Sequence, residues 1–322
     1  MTWLVWTQYR RQFTYTAALV GALAVLLIVT GAVMSSDYHS ALARCGTARD
    51  CGDLGLFQGS GWSALTTTVP LTVGVPVLLG VFWGAPLLAG EYEQGTQQFV
   101  WTQSVPRRRW LLAKVGWALA AAAVWGSVVA ASVTWWSRTE NALGHHRFDP
   151  FKFDVQGVVP VAYAVFAVAL GIAAGAVLRR TLPALGVTVA GFTTLLLVLQ
   201  NFVRPRYLPE KTANLPLSRL HGGLFSGSWQ FGGQVLDPSG KVAGHVIGGN
   251  DWNVQQAVPS RCLVNDPDRV RRCLSADGYR MVVHYQPASR YWTFQFIEAG
   301  IFLALAAVLV FIAYRCITRR DA

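Results

Sequence analysis

The chain has 322 residues, of which 53% are hydrophobic and 13% charged, against about 25% charge in a soluble domain. That balance, with the apolar residues gathered into blocks of about 20, excludes an ordinary soluble enzyme and points to membrane helices. The net charge of +11 does not imply nucleic acid, because no basic stripe sits on a soluble domain of its own; it suits loops held against an anionic lipid face.

The first apolar block predicts a helix over residues 14–34, too long for a cleaved signal segment, and is read as a retained span. The second covers 67–88 and contains Pro70, Pro76 and Pro86, which remove backbone donors and favour kinks. The third covers 111–135. The fourth and fifth, 158–178 and 182–203, form a tight helical hairpin around Arg179 and Arg180, and the sixth covers 292–314. Gly171 and Gly175 in the fourth permit close helix packing.

Orientation follows from the short loops. With the N-terminus inside, the inner segments carry Arg10, Arg11, Arg107, Arg108, Arg109, Lys114, Arg179, Arg180, Arg315, Arg319 and Arg320. The two short outer loops carry only Arg44, Arg49, Arg138, Arg147 and Lys152. Eleven against five favours both termini inside. Cys45, Cys51, Cys262 and Cys273 then lie outside and Cys316 inside, as expected if disulfides form only in the oxidising compartment. Four outer cysteines allow three pairings. The local ones, Cys45–Cys51 and Cys262–Cys273, are favoured over the others and over free thiols.

Residues 204–291 are too many for a plain connection. A hairpin is expected from Gln234–Asp237 and Val242–Ile247, a further strand at Tyr279–Tyr285, and a short helix at Asp266–Ser275. The expected fold is an all-α polytopic membrane protein. It has six transmembrane helices, N-in and C-in, with a small α/β extracytoplasmic domain between spans five and six. The segments are 1–203 with an inner loop at 89–110, then 204–291, then 292–322.

No phosphate loop, nucleophile elbow or H-E-x-x-H motif occurs, so neither a catalytic residue nor a metal ligand is assigned. The adjacent His145 and His146 do not share a helix face. In the last span, Gln295 and Glu298 share a face. A charge there is costly. Two readings remain open: a polar lining of a translocation path, or a bond to another helix or to an arginine such as Arg290.

The inner loop after the second span reads AGEYEQGTQQFVWTQSVPRRRWLLAK. Residues Glu91–Phe99 suit a short surface helix, and Arg107, Arg108, Arg109 and Lys114 suit anchors at the inner headgroups. Positive-inside charge alone leaves Glu91, Glu93 and Gly95-Thr96 unexplained. This pattern of an acidic residue, Gly-Thr, Pro106-Arg107-Arg108 and Lys114 resembles the permease subunits of type-2 ABC transporters. The start MTWLVWTQYRRQ and the tail YQPASRYWTFQFIEAGIFLALA resemble actinobacterial members with a large loop before the last span.

The resemblance implies a division of labour. A separate cytoplasmic ABC ATPase would hold ATP and magnesium, and this chain would carry no cofactor of its own. Glu91, Glu93, Gln94, Gly95 and Thr96 would couple to that ATPase, and Trp3–Arg11 would lie along the inner interface. Two permease subunits, identical or different, would assemble among the lipids of the cell membrane with two ATPases. The implied activity is export of an amphipathic or hydrophobic substrate: a drug, a peptide or a lipid. The competing reading is a membrane-anchored sensor or adaptor whose outer domain binds a ligand or envelope component.

Overall fold

The computed structural model describes residues 2–45, 69–95, 107–142, 147–217, 227–246, 252–253, 259–262 and 267–320. Cys51, His145 and His146 fall outside these, as does the side chain of Cys45, so the Cys45–Cys51 pairing lies outside the described residues. The chain divides into two units. One comprises Met1–Glu140, Pro150–Pro205 and Thr293–Ala322; the other comprises Asn141–Asp149 and Arg206–Trp292. The 204–291 segment drawn from sequence falls in the second unit except for its first two residues, and Asn141–Asp149 joins it there.

Six helices among the described residues are long and apolar enough to cross a membrane: Arg10–Ala43, Leu71–Gln94, Arg108–Asn141, Val159–Leu178, Thr181–Arg206 and Ala288–Thr318. The first belongs to an unbroken helix, Thr2–Cys45. At about 1.5 Å per residue it is roughly twice the length a bilayer core requires. No break in the helix separates its N-terminal residues from the span.

The second span carries the marks of its prolines and glycines. A 3-10 turn, Val69–Val73, leads into an α segment, Gly74–Leu79; a π turn, Gly80–Gly84, follows, and then Ala85–Gln94. Pro86 has no N–H to give and its ring crowds the preceding turn, so the extra residue of the π turn relieves the ladder just where it is interrupted. This stretch lies against the fourth span with backbones nearly touching. A Cβ on Gly84 would stand 2.5 Å from the Val168 carbonyl oxygen, and one on Gly171 would stand 2.5 Å from the Gly80 oxygen. The small residues are therefore consumed within the chain, where van der Waals packing replaces the hydrophobic drive absent in lipid. Gly171→Ala runs into the backbone of Gly80, Gly84 and Ala85 and is expected to cost about 1–3 kcal/mol, read as a lowered unfolding midpoint in detergent. An unchanged midpoint would show that the two helices separate without strain.

The first three spans meet through rings. Phe13 contacts Trp83, Trp117 and Trp125, with centroids 5.1–6.4 Å apart. The Trp83 indole donates to Thr16 Oγ1 at 3.0 Å, which satisfies a polar group that lipid would leave unpaired.

The second unit is built on an antiparallel sheet. Its strands are β1 (Lys211–Pro216), β2 (Trp229–Leu236), β3 (Val242–Val246), β4 (Trp252–Asn253) and β5 (Arg280–Gln286), in the order β1-β5-β2-β3-β4. The β2–β3 hairpin turns where expected. Asp237 Oδ1 accepts from the amides of Ser239 and Lys241 at 2.8 and 2.9 Å, and Gly240 takes the left-handed conformation. A short helix, Pro267–Ala276, lays Leu274 into a core with Val235, Met281 and Val283. The Cys262–Cys273 disulfide closes this small core, with Cα atoms 5.6 Å apart. Cys316 is free and half-buried.

Candidate functional site

Two polar clusters stand at opposite ends of the first unit, and one is built from the acidic loop motif. The second span does not stop near Leu88 as expected but continues to Gln94, where Gly95 adopts φ 67° and closes the helix. Glu91 and Glu93 are thus its last helical turn rather than the start of a separate surface helix; Thr96 lies outside the described residues. The extension is possible because every side chain of the turn but that of Gln94 has a contact on a neighbouring helix. Glu91 Oε1 pairs with Lys114 Nζ in the third span. The Tyr92 ring lies under the Arg179 guanidinium at 4.8 Å. Glu93 accepts from the Thr181 amide at 2.8 Å and from its hydroxyl at 2.6 Å, capping the first turn of the fifth span. Gln94 is exposed.

Lys114 requires a correction. The sequence suggests a headgroup anchor beside Arg107–Arg109, yet the Lys114 side chain is only 1% exposed. It sits 4.8 Å from the Trp110 ring and against Glu91. About two turns inside the helix, the ammonium finds a carboxylate closer than it finds water, and a buried charge keeps such a partner. Arg108 and Arg109 are exposed as an anchoring role requires; the Arg107 side chain is not described.

The other cluster centres on Arg204, which lies near the end of the fifth span and is 1% exposed. Its Nε donates to Glu298 Oε2 at 2.8 Å and its Nη2 to Glu298 Oε1 at 2.6 Å. The same Nη2 pairs with Asp154, and the guanidinium plane covers the Phe153 ring at 4.3 Å. Tyr163 Oη lies 2.5 Å from Glu298 Oε1 and 3.0 Å from Asp154 Oδ1, and Gln200 donates to Asp154 Oδ2 at 2.7 Å. One turn away, Gln295 Oε1 accepts from the amides of Val158 and Val159, both at 3.0 Å, while its Nε2 donates to the Phe153 carbonyl. The sixth span therefore caps the fourth and holds the turn that carries Asp154. Gly157, at φ 73°, leaves room for this, since a Cβ there would lie 2.6 Å from Gln295 Oε1.

Gln295 and Glu298 are fully buried, and Glu298 bonds to Arg204 rather than to Arg290, which instead donates to the Pro209 carbonyl and to Gln286. Asp154 and Arg204 escape a sequence reading because charges at helix ends are ordinary, and Tyr163 because a tyrosine within an apolar helix is too. The one available signal was Glu298 itself, whose buried charge required a cation at the same end of the bundle.

A family model described as ABC-2 membrane transporter related matches residues 17–204. The chain belongs to that family. It is a type-2 ABC transporter permease, a multi-pass transmembrane component of a transporter. No curated protein and no solved structure matches it. In this permease the matched segment holds the whole acidic-turn cluster and ends on Arg204, whereas Gln295 and Glu298 lie beyond it.

Proposed function

We propose that this permease couples ATP hydrolysis by a separate cytoplasmic ABC ATPase, which holds the ATP and magnesium, to export of an amphipathic or hydrophobic substrate. The observation that carries the reading is the last turn of the second span. Glu91 is tied to the third span, Tyr92 to the turn between the fourth and fifth, and Glu93 to the first turn of the fifth. A push delivered to the residues after Gly95 reaches four spans at once. Segment 95–106, followed by exposed Arg108 and Arg109, faces the cytoplasm in this reading. The Cys262–Cys273 disulfide then lies in the oxidising compartment, in keeping with the excess of inner arginines. A second permease subunit, identical or different, completes the transporter.

The test is purification with the partner ATPase, followed by ATP turnover and substrate flux in proteoliposomes. Glu93→Ala removes two hydrogen bonds to a charged acceptor. It is expected to lower permease-stimulated turnover several-fold while the isolated ATPase is unaffected. Absence of a co-purifying ATPase, or unchanged stimulation in the variant, refutes the reading. A sensor or adaptor built on the disulfide-stapled unit would bind its ligand with no ATPase and no flux.

A further inference from the structure

The Arg204 cluster holds two carboxylates and one guanidinium, and these three ionised groups sum to −1 in a buried place. Its hydrogen-bond geometry has a matching deficit. Glu298 Oε1 and Asp154 Oδ1 converge on the single hydroxyl of Tyr163, at 2.5 and 3.0 Å, and that hydroxyl has one proton to give. The shorter contact assigns it to Glu298. Oxygen then faces oxygen between Tyr163 and Asp154, unless Asp154 itself carries a proton and donates it. We propose that Asp154, Tyr163, Arg204 and Glu298 form a proton-binding site, with the proton held on Asp154 and the chain running from the Asp154 carboxyl to the Tyr163 hydroxyl to the Glu298 carboxylate.

That arrangement leaves one anion, Glu298, against one cation, Arg204, which contacts both its oxygens. Burial raises the Asp154 carboxyl to about 6, against the opposing pull of Arg204 and assisted by the negative charge of Glu298. Lys152, two residues before Asp154, is itself paired with Glu140 at 2.5 Å. A small cavity of about 10 Å³, lined by Thr72, Pro76, Gly126, Pro160 and Ala164, borders Asp154. The proton supplies the missing hydrogen bond between Asp154 and the Tyr163 hydroxyl and removes the repulsion that would loosen the joined ends of spans four, five and six.

A carboxyl held above its unfolded value stabilises the fold while protonated and loses that contribution as pH rises through about 6. For the full chain in detergent or nanodiscs, the thermal midpoint is expected to fall by several degrees between about pH 5 and about pH 8. Asp154→Asn, a permanently neutral mimic, is expected to flatten that slope and to abolish the infrared carbonyl stretch of a buried protonated carboxyl. Unchanged slope and band in Asp154→Asn overturn the proposal. Loss of both in Glu298→Gln but not in Asp154→Asn overturns the placement of the proton. A midpoint at the upper pH that rises with sodium but not with a bulky organic cation assigns the site to a metal ion and overturns it equally.

Discussion

Arg204→Ala is expected to cost about 3–5 kcal/mol of stability. The reason is not the contact energy of one ion pair. Asp154 and Glu298 are 2% and 0% exposed, and Arg204 is the cation both of them touch. Removing it leaves two carboxylates facing each other across Tyr163 with no water to relax into. The readout is the unfolding midpoint of the full chain in detergent, together with the monodisperse fraction recovered. Raising proton concentration should return part of the loss, because neutralising either carboxylate removes the repulsion. A variant as stable as the parent at neutral pH would mean that these ends are wetter than the geometry allows.

Glu91→Ala is expected to be nearly as damaging, again about 3–5 kcal/mol, because it abandons the Lys114 ammonium in a place with almost no solvent. The double replacement Glu91→Leu with Lys114→Met should recover most of that loss, since a buried pair exchanged for apolar groups of similar volume is often neutral. This pair of variants separates two roles that one substitution confuses. If the double variant is stable and still stimulates the ATPase, Glu91 serves only to hold the third span. If it is stable yet silent, the carboxylate is needed for coupling. A double variant as unstable as the single one would show that the destabilisation comes from lost shape rather than from lost charge.

The six spans were legible because each must be long and apolar, and no neighbour can change that requirement. The hairpin around Pro238–Gly240 was legible for a similar reason: its turn chemistry is local. What sequence could not reveal was where the spans end and whom they touch. The second span runs past Leu88 because Glu91, Tyr92 and Glu93 have contacts on other helices, and such contacts exist only after packing. Lys114 misled in the same way. In sequence it is one more basic residue near an inner boundary, and only the fold turns it inward. Strand β1 went unread because Lys211–Pro216 is short and offers only Ala213 and Leu215 as apolar positions, and β4 because Trp252–Asn253 is two residues long. Glu298 was conspicuous by its position alone, but its partners came from helix ends scattered along half the chain.

The cap that Gln295 places on the amides of Val158 and Val159 has a consequence for biosynthesis. In chain order the fourth span precedes Arg206–Trp292, the larger part of the second unit, and that part precedes the sixth span. Until translation reaches the last span, the fourth helix begins with uncapped amides, and Arg204 has only Asp154 to neutralise it. The nascent bundle is thus incomplete in its own interior until nearly the whole chain has left the ribosome. A chain terminated before Gln295 would leave the amides of Val158 and Val159 uncapped and Arg204 without Glu298.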